Sequence, residues 1–154
     1  MRSGRKSGSS PGNTEIGITY RADPTVNSGE LDELFAASWD EHSPRDFTPI
    51  LERSLVYLCA YRGQALVGFV NVAWDGGVHA FVLDTTVHPN LRGRGIGRQL
   101  VRRAASEARD RGAEWLHVDY EPHLRGFYRQ CGFRFTEAGL MWLDPESQIK
   151  GASG

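Results

Sequence analysis

Apolar residues recur along the chain with two periods, and the switches between them outline the fold. Ile16 to Tyr20 alternates as a first, edge strand would. From Leu31 the period lengthens: Leu31, Leu34 and Phe35 make one apolar helical face that ends near Trp39. Asn27, with Glu30 three residues later, predicts a capping box at the start of this helix. Ser43-Pro44 predicts the start of a second helix, a cap followed by proline, with Phe47, Ile50 and Leu51 turned inward. Pro49 keeps that helix brief or irregular, because proline lacks the N–H an interior turn needs.

The period then shortens. Val56 to Tyr61 and Ala65 to Trp74 read as strands joined at Arg62-Gly63-Gln64, and Asp75-Gly76-Gly77 turns the chain into a third strand, Val78 to Val87. A long helix follows, with Ile96, Leu100 and Ala104 on one face beside Val101, Ala105 and Ala108, and with Gly112 placed to end it. Trp115 to Tyr120 is a strand reached by this helical crossover, so it should run parallel to the strand before the helix. Pro122 opens a last helix carrying Leu124, Phe127, Tyr128 and Cys131 at helical spacing, and Gly132 closes it. Phe133 to Phe135 and Leu140 to Leu143 are expected to form a final pair of strands. The pattern gives an α+β fold: a mixed, mostly antiparallel sheet with one parallel pair and helices on both faces. It forms a single domain over residues 15–145, between a disordered tail at 1–14 and a loose one at 146–154.

Composition narrows the classes. A chain of 154 residues is one domain with a core of its own. Its two cysteines, Cys59 and Cys131, make no disulfide framework, which suits a reducing compartment. The basic, Ser/Gly-rich N-terminus lacks the apolar segment of a signal peptide, and no apolar run is long enough to span a bilayer. A cytoplasmic protein without a membrane partner is therefore expected. The net charge of −1 is unevenly spread. Arg92 to Arg111 holds seven arginines against Glu107 and Asp110, a local +5, whereas Asp23 to Glu52 carries eight acids against Arg45, a local −7. One basic patch in a near-neutral chain suits a small anionic ligand better than nucleic acid. The five histidines show no spacing typical of a metal site.

That patch opens the long helix. Pro89 ends the strand, and Arg92-Gly93-Arg94-Gly95-Ile96-Gly97-Arg98 follows at once. The first N–H groups of a helix lack intrahelical partners and sit at the positive end of its dipole. Glycines let a ligand approach the backbone, and arginines add donors matched to phosphate oxygens. The arrangement fits a phosphorylated ligand, most simply a pyrophosphate. A nucleoside-triphosphate loop would need Lys then Ser or Thr where Arg98-Gln99 stand. A dinucleotide fingerprint would need Gly-x-Gly-x-x-Gly; Asp119 could supply its distal acid, but Arg98 stands where the third glycine belongs.

Val87-x-Pro89 followed by Arg92 to Gly97 resembles the acyl-CoA-binding motif of the GNAT superfamily of N-acetyltransferases. Phe127-Tyr128-Arg129-Gln130-Cys131-Gly132-Phe133 resembles that superfamily's second signature, and the likeness runs from about Val56 to Leu143. It implies a three-layer α/β/α fold whose parallel strands splay apart around acetyl-CoA, the acyl donor. Thr85, Thr86 and Val87 would hold pantetheine through main-chain groups, and Arg92, Gly93, Arg94, Gly95, Ile96, Gly97 and Arg98 would hold the pyrophosphate. Tyr128 would be the general acid for the departing thiolate, although a tyrosine on an apolar helix face is ordinarily core.

Glu121 replaces an asparagine that many members use to contact CoA; it leaves a carboxylate available as a base. Asp84, Asp119, His117 and His123 are further candidates, and each has a solvated or structural role as its ordinary alternative. Cys131 has no assignable His or Asp partner and reads as a small core residue. The implied activity is acetyl transfer to an amine; the alternative is a non-catalytic acyl-CoA-binding module on the same fold. No metal is expected, and a homodimer is compatible with the family. The acidic segment around Trp39-Asp40-Glu41-His42 has two readings: a rim that attracts a cationic amine, or a solvated surface.

Overall fold

The structure is a computed structural model that describes residues 17–144. The two expected tails and Ile16 lie outside the described residues. The chain groups into two compact units, 1–118 and 119–154.

The first unit holds a five-stranded sheet in the order β1 (Ile18–Ala22), β2 (Val56–Arg62), β3 (Ala65–Trp74), β4 (His79–Val87) and β5 (Trp115–His117). The pairings are antiparallel except β4–β5, which is parallel, as the crossover through α3 (Ile96–Asp110) requires. α1 (Ser28–Ser38) starts as its sequence predicts: the Asn27 side chain accepts the Glu30 N–H at 2.8 Å, and the Glu30 carboxylate accepts the Asn27 N–H at 3.1 Å. Leu31, Leu34 and Phe35 then pack with Phe47, Cys59 and Phe69.

Cys59 and Phe69 are register partners, as are their neighbours Ala60 and Gly68. Successive strand residues point to opposite faces, so the second pair looks away from α1. There it meets α3: a Cβ on Gly68 would lie 2.9 Å from the Leu100 side chain. Helices therefore cover both faces, in three layers. Burying Leu100, which is fully enclosed, contributes roughly 1.5–3 kcal/mol. α3 ends in a Schellman motif at Gly112 (φ +100°), where the Gly112 and Ala113 amides return to the carbonyls of Arg109 and Ala108.

The second unit, over its described residues 119–144, contains a 3-10 turn (Pro122–Leu124) and α4 (Arg125–Gln130). α4 closes with the same motif at Gly132 (φ +102°): the Gly132 and Phe133 amides bond the carbonyls of Arg129 and Tyr128.

Three expectations change. α2 spans Thr48–Arg53 instead of beginning at Ser43-Pro44. Pro49 falls in its first turn, where a missing N–H costs nothing; an earlier start would have put that proline in the interior. β5 stops at His117 instead of Tyr120, because its ladder with β4 ends at Phe81↔His117. Neither Phe133 to Phe135 nor Leu140 to Leu143 is a strand, and Phe135 and Leu140 to Leu143 are exposed. An apolar run becomes a strand only where a neighbour completes its ladder, and neither segment joins the sheet of the described residues. Among the described residues no helix is long and apolar enough to cross a membrane, and no group of three or more His, Cys, Asp or Glu could hold a metal ion.

Candidate functional site

The loop from Arg92 to Arg98 is built from main chain. After β4, the His88 ring accepts the Asn90 N–H at 3.2 Å and starts a 3-10 turn, Pro89–Leu91, anchored by the buried Leu91. Gly93 (φ +75°) and Gly95 (φ +82°) then take left-handed conformations. A Cβ at either would meet no atom within 4 Å, so the backbone angle and an open approach explain these glycines, and crowding does not. Gly95 is the N-cap of α3 and offers no side-chain cap; the first turn carries no acid, and the Gln99 N–H makes the first return bond, to Gly95 O. The amides of Ile96, Gly97 and Arg98 thus stand at the head of the helix without intrahelical acceptors, beside the exposed Arg94 and Arg98. The loop fits an anion.

Arg92 works differently. Its Nε donates to Val87 O at 3.3 Å and its Nη2 to Ser38 O at 3.2 Å, so it ties the end of β4 to the end of α1. Sequence reasoning missed this use, because no local pattern tells which distant carbonyl a long side chain will reach.

Beside the loop, β4 runs from Val82 to Val87 beyond its last rung with β5. β5 no longer pairs with this stretch. Thr86 is buried and its Oγ1 donates to Asp84 O at 2.9 Å; its side chain serves the strand itself. Thr85 and Val87 are half-buried, and Val87 O already accepts from Arg92.

Within β4 the register steps from Phe69↔Thr86 to Asn71↔Leu83. Asp84 and Thr85 therefore stand opposite Val70 alone, a bulge with Asp84 at φ +58°. The bulge re-aims Asp84 into a cleft of about 770 Å³, lined also by Phe35, Trp39, Asp40, Glu41 and Arg45. The cleft wall is pinned from behind: Asp32 bonds His42 Nε2 at 2.7 Å and accepts the Arg45 N–H at 3.2 Å. Phe35 stacks on Phe47 and His42 at 5.3 and 5.5 Å, which fixes an aromatic floor. Burial pushes the Asp84 carboxyl above its ordinary value, and the nearby Arg45 charge partly offsets this. The acidic link and Asp84, both singled out in the sequence, thus share one cleft.

In the second unit Tyr128 is buried. Its ring stacks on Tyr120 and meets Phe127 edge-on, both at 4.9 Å, with Phe133 at 5.8 Å. Glu121 is exposed at the N-cap of the 3-10 turn, and its carbonyl accepts the Leu124 N–H at 2.9 Å. Asp119 and His123 are exposed, and Cys131 is half-buried. In the first unit His117 pairs with His79 across 2.8 Å and stacks on Phe81 at 4.8 Å, outside the residues that line the cleft.

Comparison with known proteins gives a consistent picture. The family model for the acetyltransferase (GNAT) family matches residues 27–133. Serotonin N-acetyltransferase 2, chloroplastic, from Oryza sativa subsp. japonica is 30% identical over 141 residues, covering 86% of this chain and 70% of that protein. Among solved structures, a GNAT family acetyltransferase from Streptococcus pneumoniae TIGR4 superposes with a TM-score of 0.71 at 27% identity, covering 83% of this chain and 98% of that one. An aminoglycoside N-acetyltransferase solved in complex with CoA shares the fold at a TM-score of 0.65 and 18% identity, over 83% of this chain and 95% of the other.

Proposed function

The chain belongs to the GNAT family of acetyltransferases, and from that premise we propose that it moves the acetyl group of acetyl-CoA to a primary amine by direct attack on the thioester. The pyrophosphate of the donor lies on the loop from Arg92 to Arg98, and its pantetheine arm runs along β4 beyond its last rung with β5. One observation supports this reading: a helix start with no side-chain cap, entered through two left-handed glycines, follows the stretch of β4 that runs on beyond its last rung with β5. Arg94 and Arg98 supply the charge. Arg92 is turned to the Ser38 and Val87 carbonyls and holds the loop in place. A relative named for serotonin, itself an amine, supports an amine acceptor.

The chemistry asks little of the protein beyond placement and proton handling. The amine nitrogen adds to the thioester carbonyl, the C–S bond breaks, and the thiolate takes a proton from the Tyr128 hydroxyl. The nitrogen sheds a proton as the amide forms, and that proton restores Tyr128. The aromatic packing of Tyr128 holds its ring in one orientation, as a positioned acid requires.

The test is a calorimetric titration of acetyl-CoA against the wild type and Gly95→Val. A valine at φ +82° adds about 1–2 kcal/mol of left-handed strain. The loop then either distorts or covers its amides, and affinity should fall at least tenfold. A folded variant with wild-type affinity would overturn this placement of the donor.

A further inference from the structure

We infer that His79 and His117 form a site for a divalent transition-metal ion of the zinc type, and that the ion ties β5 to β4 across their short parallel ladder. The site lies wholly within the first unit, and it acts on the fold rather than on acetyl transfer. Three observations support it.

The first is the approach of the two rings. His79 opens β4, His117 closes β5, and His79 Nδ1 lies 2.8 Å from His117 Nε2. His79 stands opposite Trp115, and His117 opposite Phe81, so the two histidines meet diagonally on one face of the sheet. They are 38 residues apart, which is why spacing along the chain gives no sign of them. Imidazole is an ordinary zinc ligand, and two imidazole nitrogens on one tetrahedral ion, each at about 2.0–2.1 Å, lie about 3.3 Å apart. The pair therefore has to open by only about 0.5 Å to admit the ion.

The second is that the main chain beneath both rings is fixed while the rings stay accessible. The Asp75 carboxylate accepts the Gly77 and His79 amides at 2.7 and 3.3 Å, and the Asp75 N–H donates to His79 O at 3.1 Å. The Glu114 and Trp115 amides both donate to Val78 O, at 2.8 and 3.0 Å, which sets where β5 begins. Phe81 stacks on the His117 ring at 4.8 Å and limits its rotation. Ligands held this way lose little freedom when an ion arrives. His117 is exposed and His79 half-buried, so water can fill the remaining coordination positions.

The third is charge and proton balance. A hydrogen bond between two neutral imidazoles uses one N–H and one lone pair, whereas an ion uses both lone pairs. The ring that carries the shared proton takes its other tautomer, both facing nitrogens bind the ion, and no net proton is released. The Gly77 amide holds the Asp75 carboxyl below its ordinary range, so a negative charge stays next to His79 and favours a cation there. Among the described residues no third His, Cys, Asp or Glu completes the group, so the site is weaker than a closed structural one. Its effect still matters locally, because only three register pairs join β4 to β5, and a link that forms only in the folded chain stabilises it.

The experiment is a calorimetric titration of zinc chloride into the untagged full-length protein, stripped of metal by a chelator. The wild type is compared with His79→Gln and His117→Gln. Expected is one zinc ion per wild-type chain. Loss of a ligand's hydrogen-bonding partner already costs about 10–100-fold in metal affinity, so loss of a ligand itself should cost at least about 100-fold. Zinc should also raise the melting temperature of the wild type and not that of either variant. A second readout does not depend on how a variant folds: in nitrogen-15 spectra of the wild-type imidazoles, zinc should move the His79 and His117 signals and leave those of His42, His88 and His123 in place. No binding to the wild type at millimolar zinc, binding that survives both substitutions, or shifts confined to the other histidines would overturn the inference.

Discussion

The Arg92–Arg98 loop, proposed to hold the donor, and the cleft beside the β4 bulge are made in opposite ways. The loop is one continuous stretch, Arg92 to Arg98, and it presents the first backbone amides of α3, entered through the left-handed Gly93 and Gly95. The cleft joins the link after α1 to Asp84, some forty residues away in sequence, and is lined by side chains. A backbone site needs glycines at fixed offsets from a helix start, so it leaves a local signature and tolerates change in most side chains. A side-chain site needs only that the fold bring the right groups together, so its identity can change without disturbing the scaffold. On this contrast, donor chemistry should be held in common across the family while the acceptor varies.

The largest expected effect tests whether the transfer step itself belongs to either region. Tyr128→Phe keeps the ring contacts with Tyr120, Phe127 and Phe133 and removes one hydroxyl. Turnover should fall about 100-fold, with donor affinity and acceptor KM nearly unchanged, the pattern of an interaction made mainly in the transition state. Full activity in a folded variant would make Tyr128 a core residue only.

Arg92 should break the separation of the two regions, because it bonds both. Its guanidinium spans Val87 O at the end of the donor strand and Ser38 O at the rim of the cleft. Arg92→Gln removes two charge-assisted bonds, each worth about 1.5 kcal/mol at the lower end because the site is exposed. Acetyl-CoA affinity and acceptor KM should both worsen, by about tenfold, since each bond's loss is near the 1.4 kcal/mol that makes a tenfold change. A variant that weakens acetyl-CoA binding alone would return Arg92 to the role of a simple phosphate ligand.

How much could be read from the sequence follows the same divide. The start of α1 is legible from Asn27 and Glu30, and the turn into α3 from Gly93 and Gly95, because caps and left-handed turns are local. The start of α2 was misplaced because Pro44 and Pro49 each satisfy the rule for a first turn, and only packing around Phe47 selects the later one. Leu140 to Leu143 carried a strand pattern without a partner to complete it. Asp84 looked like one acid among several. Its bulge arises from a slip in pairing with β3, which no single strand encodes.

A smaller effect should appear at the rim. Asp40 and Glu41 are exposed, so their attraction for a cation acts through water and is screened over about 8 Å at physiological salt. Replacing both with Asn and Gln should raise the amine KM by about two- to fivefold at low salt, with kcat held. The same measurement near 0.5 M salt should shrink the gap, because the wild type then loses the field as well. A KM indifferent to both changes would make the rim a solvated surface.

The smallest effect asks whether the cleft holds Asp84 at the expense of stability. Burial raises the Asp84 carboxyl above its ordinary 3.8, with Arg45 opposing. A raised folded-state pKa means that the native state binds the proton more tightly than the unfolded chain does. Between the unfolded and folded values the unfolded chain therefore holds fewer protons, and stability falls as pH rises through that window. Below it both states are protonated and Asp84 costs nothing; above it the charged, half-buried carboxylate destabilises the fold. Asp84→Asn removes the charge and keeps a residue that accepts φ +58°. Thermal unfolding should therefore show the variant more stable than the wild type at pH 7, with the difference closing as pH falls toward the ordinary carboxyl range. The donor loop offers a control in the opposite direction: replacing Gly95 adds left-handed strain and should lower the melting temperature at every pH. An Asp84→Asn protein less stable than the wild type at pH 7 would mean that the carboxylate is held by a favourable partner in the native state, with Arg45 the first candidate.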